Sequence, residues 1–176
     1  MSKAQVDLLA LYGQATGEAF RLETRQVYAV PAESAQFRAF TEGRPLPPDP
    51  HVDQSMQVIS AAASAGVRIH RVHVVDLPLT MYLRYELAAY GENVAAGEGV
   101  RIAVRSWHPG LAELAEDFVL FDSQAMVWMR YDSQGRLISR DYSDDASDLA
   151  LAARQRDVAL AHSVSLSEFA HLAEAG

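Results

Sequence analysis

Residues 66–105 read GVRIHRVHVVDLPLTMYLRYELAAYGENVAAGEGVRIAVR, and residues 116–122 read EDFVLFD. The stretch 67–75 is rich in β-branched residues and follows a Gly, which predicts a strand. Pro78 suits the start of a helix, and Asp76 or Thr80 could cap it, so a helix is predicted over 79–90. The Gly-punctuated 91–99 (GENVAAGEG) predicts a loop, and 100–105 a second strand. Strand, helix and strand in that order form a βαβ unit with parallel strands and a right-handed crossover. Residues 118–121 add a further strand ending at Asp122.

Toward the N-terminus, Val6, Leu8, Leu9, Leu11 and Tyr12 carry weak helical periodicity over 4–16, limited by Gly13 and Gly17. Residues 19–30 alternate, with Phe20, Leu22, Thr24, Gln26 and Tyr28 on one side and Arg21, Glu23, Arg25 and Val27 on the other; this predicts a strand. Pro31 opens a short helix carrying Phe37 and Phe40, which Gly43 stops. RPLPPDP (44–50) predicts a rigid surface loop, with a polyproline II ligand as the alternative. A helix over 53–65 aligns Met56, Ile59 and Ala63, and Gly66 is its C-cap signal.

Toward the C-terminus, 106–116 reads as irregular or weakly helical. A meander follows. Residues 126–131 form its second strand, where Met126, Val127, Trp128 and Met129 are apolar on both faces and predict a central position. Asp132–Gly135 reads as a turn, and 136–142 as the last strand. The remainder, 143–176, is predicted to be a C-terminal helical extension of a single domain spanning 1–176. Ser143, Asp144 and Asp145 favour a helix start, and Ser165 with Glu168 reads as a capping box with a Val164–Phe169 staple. The fold class predicted is α/β: one mixed sheet with βαβ crossovers, a C-terminal antiparallel meander and helices on both faces.

Composition narrows the chemistry. The 49% hydrophobic and 22% charged content is that of a globular domain. There is no Cys, which excludes disulfides, thiolate zinc sites and a Cys nucleophile. No apolar run is long enough for a signal-peptide core or a membrane span, so a cytoplasmic protein with no membrane partner is expected. The net charge of −8 argues against direct nucleic-acid binding. All basic residues except Lys3 are Arg, either through genomic base composition or because some bind anions in two-pronged fashion. Lysine chemistry could use Lys3 alone.

His70 and His73 are the only close His pair, and on a strand they point to opposite faces, so they cannot share a metal ion. No metal and no cofactor is expected. Arg68 and His70 fall on one face of their strand, Arg71 and His73 on the other. A buried Arg must be paired, and Glu23, Glu86 or Asp117 are candidate partners. Tyr82 and Glu86 share a helix face. Strand ends of an open α/β sheet are common ligand sites, which favours a cleft near 75–82 and near Trp107 and His108. The candidate ligand-binding residues are Glu23, Arg25, Arg71, Tyr82 and Glu86. GxGxxG, P-loop and GxSxG patterns are absent, so catalytic residues are left unknown.

LETRQVY (22–28), FRAFTEG (37–43), GVRIHRVHVVDLPLTMYLRYEL (66–87), NVAAGEGVR (93–101), DFVLFD (117–122) and the hairpin ending in Asp144 and Asp145 are together similar to an uncharacterised actinobacterial family, DUF6879. The resemblance covers about 20–145. It implies no established activity, and its members' proximity to helix–turn–helix regulators implies a regulatory or partner role. The order of elements also resembles the phospholipase-D-like fold. The catalytic His-x-Lys of that superfamily does not occur here, since Lys3 is the only Lys. The function expected is a non-catalytic regulatory or binding module for a small anionic ligand or a protein partner, such as a transcriptional regulator. The alternative is a small enzyme of specialised metabolism using Glu and Tyr acid–base groups in an Arg-containing pocket.

Overall fold

The computed structural model describes residues 6–174. Lys3 lies outside them. The chain forms one seven-stranded sheet: β1 (Glu18–Glu23), β2 (Arg68–Val75), β3 (Gly99–Val104), β4 (Asp117–Phe121), β5 (Ala125–Tyr131), β6 (Leu137–Ser143) and β7 (Val164–Ser165), in the order β6-β5-β4-β1-β2-β3-β7. β1, β2 and β3 are parallel neighbours, and β4, β5 and β6 form an antiparallel meander joined to β1 through β4. The α/β mixed sheet, the β2–β3 crossover and the meander are those predicted from sequence.

One face carries α1 (Leu8–Gln14), α2 (Ser34–Thr41), α3 (Pro50–Ser64), α4 (Met81–Ala95) and α7 (Leu166–Glu174). Leu8, Tyr12 and Ile59 pack there on Ala19, Ile69, Val119 and Val127, and Leu83 and Phe169 pack on Val100 and Ile102. The other face carries the short α5 (Pro109–Ala112) and α6 (Ala146–Ala161). Ala152 and Ala159 of α6 lie against Phe20, Leu22, Val72, Phe118, Met126 and Trp128. Met126 and Trp128 thus face one layer while Val127 and Met129 face the other, so β5 is covered on both sides.

Four elements differ from their sequence prediction. β1 ends at Glu23 rather than near 30, because Asp117 takes over at Thr24: its Oδ1 accepts the Thr24 amide at 2.8 Å and hydroxyl at 2.7 Å. α3 starts three residues early, since Asp49 caps it through the His51 amide and Pro50 fits the first turn. α4 runs through Gly91 to Ala95, where a loop is expected. An internal Gly costs a helix only about 1 kcal/mol, whereas the actual stop is Gly97 at φ +101°. There the Gly97 amide donates to Val94 O and the Glu98 amide to Asn93 O, closing a Schellman turn.

The fourth difference is the segment 143–176. It covers a sheet face with α6 and then adds β7, antiparallel to β3, at the sheet edge. The predicted capping box is present: Ser165 Oγ accepts from the Glu168 amide at 3.2 Å and Glu168 Oε2 from the Ser165 amide at 2.8 Å. Among the described residues, no helix is long and apolar enough to cross a membrane.

Candidate functional site

Parallel pairing of β1 and β2 sets Arg21 opposite Arg71 and Glu23 opposite His73, all beneath α1, α3 and α4. Two guanidinium groups side by side repel unless carboxylates lie between them. Glu23 does so. Its Oε1 lies 2.9 Å from Arg21 Nη2 and its Oε2 accepts from Arg71 Nη1 at 3.1 Å. Glu98 grips the other edge of Arg71, at 2.5 Å from Nε and 3.1 Å from Nη2. Asn93 steadies Glu98 with an amide hydrogen bond of 2.7 Å. The Arg71 guanidinium also lies 4.9 Å from the centre of the Tyr90 ring.

A second layer holds the proton-bearing groups. His73 Nε2 donates to the carbonyl of Arg25 at 2.7 Å, because a carbonyl can only accept. Its Nδ1 lies 2.8 Å from the Tyr90 hydroxyl and 3.4 Å from Glu86 Oε2. The Tyr90 hydroxyl reaches Glu23 Oε2 at 2.7 Å. Tyr82 donates to Glu33 at 2.8 Å and stands 3.4 Å from Glu86 Oε1.

The two carboxylates Glu23 and Glu86 are pushed in opposite directions. Burial alone would raise Glu23, but Arg21 and Arg71 hold it well below the usual carboxylate range. Among the described residues Glu86 has no guanidinium within ion-pair distance, and the pull of Arg71 and Arg21 on it is the lesser effect. Burial, then the neighbouring Glu23 and Glu33, push it well above that range, so it favours its neutral, proton-donating form. With Glu86 neutral, the two buried arginines are balanced by Glu23 and Glu98.

Above this floor lies a cavity of about 480 Å³ bounded by α1, α2, α3, α4 and the sheet, and Arg21, Glu23, Glu33, Asp49, Arg71 and Glu86 are among its walls. Its volume is in the range of small-molecule sites. A separate, mainly apolar recess lies at the end of β2, among Val27, Val30, Phe37, Thr80, Met81 and Tyr82.

Glu23, Arg71 and Glu86 come together as predicted, and Tyr82 joins them at the margin between cavity and recess. Arg25 does not. With β1 ended at Glu23 the alternation is lost, and the Arg25 guanidinium turns to Asp132 O at 3.0 Å and over the Tyr131 ring. The cluster lies over the central strands β1 and β2, at the C-terminal end of β1 and along the middle of β2. Trp107 is exposed and His108 stacks on His162 at 3.6 Å, away from the cavity.

Arg21, His73, Tyr90, Glu33, Asn93 and Glu98 complete the site and were not among the candidates. Alternation with Glu23 points to Arg21, and the i,i+4 spacing from Glu86 points to Tyr90. Glu98, between two glycines, carries no such signal. His70 takes the opposite sheet face, with Glu18 at 2.8 Å. Among the described residues, no group of three or more His, Asp or Glu is placed to hold a metal ion.

A family model described as a domain of unknown function, DUF6879, matches residues 7–171. No curated protein matches the sequence. Among solved structures, the chain is similar to Nuc, a phospholipase D family member from Salmonella typhimurium, with a TM-score of 0.54 and 10% identity over 89% of this chain and 86% of that one. It is also similar to TrmBL2, an archaeal chromatin protein with a novel mode of DNA binding, with a TM-score of 0.47 and 9% identity over 88% of this chain and 47% of that one. At such identity the likeness to Nuc shows a shared fold alone, and the second likeness carries no argument.

Proposed function

The chain belongs to the DUF6879 family, and from that premise and the geometry of the cavity we propose that it is a non-catalytic binding module for a small ligand with an anionic group. Arg21 is the docking group. The observation that carries this is its unfinished hydrogen bonding: Arg21 Nε is buried without a partner among the described residues, and the residue lines the cavity. Arg71, by contrast, spends three of its N–H donors on Glu23 and Glu98. An anion therefore meets Arg21, while Arg71 keeps the floor in shape. In this reading the module works in the cytoplasm and passes ligand occupancy to a partner protein such as a transcriptional regulator. The apolar recess beside Tyr82, which shares Glu33 with the cavity, is where occupancy would be felt outside.

The test is calorimetry and thermal shift with small carboxylates and phosphates, on the protein and on Arg21→Met. Binding that is lost in Arg21→Met is expected, in a variant that still melts cooperatively but at a lower temperature, since Glu23 loses one of its two counter-charges and keeps Arg71. Binding unchanged by the substitution removes Arg21 from the site.

Glu86 supports a second reading, a small acid–base enzyme. It lines the cavity, holds its proton well above the usual carboxylate range through burial and the neighbouring Glu23 and Glu33, and stands 3.4 Å from His73 Nδ1. Phospholipase D chemistry is not carried over, since the sequence contains no His-x-Lys. Turnover of any bound compound that Glu86→Gln abolishes without weakening binding would favour this reading.

A further inference from the structure

The cavity's charges are divided between its surfaces. The sheet side presents Arg21, Arg71 and, from β6, Arg140 around Glu23, and the helix side presents Glu33 and Asp49, with Glu92 from α4. Asp49 is 7% exposed, so its carboxylate is almost wholly withdrawn from water. Its Oδ1 accepts the His51 amide at 2.8 Å, but its Oδ2 is buried without a partner among the described residues. A buried carboxylate oxygen without a donor is costly, and an ionised carboxylate can only accept. Three residues on the walls of this cavity thus carry a buried atom without a partner among the described residues: guanidinium donors on Arg21 and Arg140, and a carboxylate acceptor on Asp49.

The floor has no charge to spare. Arg21 and Arg71 are matched by Glu23 and Glu98. An anion placed on Arg21 adds negative charge beside Glu23 and within electrostatic reach of Glu33, which itself feels Glu23, Arg21 and Asp49. A ligand that carries only an anion gains at Arg21 and loses against these carboxylates. One that also carries a cation gains at both ends.

We infer that the ligand is a small zwitterion, of the size of an amino acid or a short peptide, with its carboxylate on Arg21 and its ammonium group on the Asp49–Glu33 side of the cavity. The inference rests on the reading of the cavity as a ligand site. The ammonium supplies the donor that Asp49 Oδ2 lacks, and the carboxylate takes the free edge of Arg21. Asp49 is then a specificity-determining residue: it selects ligands whose amine is free.

The test uses the free L-amino acids and glycylglycine as probes, in thermal shift followed by calorimetry. Every probe that binds is compared with its N-acetyl form, which lacks the cation, and its C-terminal amide, which lacks the anion. At least one free zwitterion should bind with one site per chain, and blocking either end should weaken it at least tenfold, which is about 1.4 kcal/mol. Asp49→Asn keeps a side-chain oxygen for the helix cap. It should weaken the zwitterion while leaving the N-acetyl form unchanged, and Glu33→Gln should act in the same direction without touching the cap. If the N-acetyl form binds as tightly as the free compound, the zwitterion inference fails and the anion site on Arg21 stands. If the amide binds as tightly and Arg21→Met makes no difference, the docking role of Arg21 fails as well. If no probe binds, the zwitterion inference is overturned, and the carboxylate and phosphate titrations decide separately whether the cavity is an anion site.

Discussion

Arg71 and Glu98 meet through two side-by-side contacts, Nε to Oε1 at 2.5 Å and Nη2 to Oε2 at 3.1 Å. Both residues are buried, and the remaining edge of the guanidinium is taken by Glu23 at 3.1 Å. A paired charge of this kind is held by its geometry, and removal of one partner strands the others in a medium that solvates them poorly. Arg71 is in this sense the keystone of the floor, whereas Arg21 keeps a buried Nε without a partner among the described residues.

Arg71→Met should therefore destabilise the fold by about 3–5 kcal/mol, since Glu23 and Glu98 lose their counter-charge together. Urea melts of the purified variant check this. A loss under about 1 kcal/mol would mean that the network is solvated.

Glu86 should imprint a pH dependence on stability. Its folded pKa is raised above the unfolded value of 4.5, so its contribution is complete below about that pH and is lost as the pH rises toward the folded value. Glu86→Gln removes the titrating group. The melting temperature of the variant should rise relative to the wild type from pH 4.5 upward, by up to about 1.4 kcal/mol of stability per pH unit within the window. Glu23 acts oppositely: its pKa is depressed, so its stabilisation is present above 4.5 and lost in acid in both proteins. Parallel melting curves from pH 4 to 8 would contradict the raised value for Glu86.

Trp128→Ala should cost about 3–5 kcal/mol. The ring is 5% exposed and meets Phe118 edge-on at 5.7 Å within the layer covered by α6. Denaturant melts read the effect directly.

Gly97→Ala should cost at least about 1 kcal/mol and should also disturb the site. A side chain at φ +101° is strained, and its Cβ would stand 2.9 Å from the Cβ of Ala63. Because Glu98 is the next residue, a shifted turn also shifts the carboxylate that holds Arg71. A stability loss without any change in ligand binding would show that the two effects are separate.

Much of the architecture is legible in local sequence. β-branched and alternating runs mark β2, β3 and the meander. Thr80 starts α4 through its hydroxyl, which accepts the Leu83 amide at 3.1 Å, and Ser165 with Glu168 starts α7 as its spacing implies. These signals act over a turn or a single strand. They fail where a distant group intervenes: Asp117 ends β1 from 93 positions along the chain. The tail shows the same limit, because a two-residue β7 exists only by pairing with β3.

The site follows the same division. Strand alternation alone places Glu23 and Arg21 on one face, and helix periodicity places Tyr82, Glu86 and Tyr90 together. Which of these groups meet is set by the β1–β2 register, which brings Glu23 to Arg71 across 48 positions, and by the Gly97 turn, which delivers Glu98. That Arg71 is engaged by two carboxylates while Arg21 keeps a buried Nε without a partner among the described residues has the same origin. Local sequence therefore determined the elements and the faces on which their side chains stand. Tertiary structure alone decided which charges neutralise one another, because that balance depends on distances of a few ångströms between residues far apart in the chain, in an interior where an unmatched charge is not tolerated.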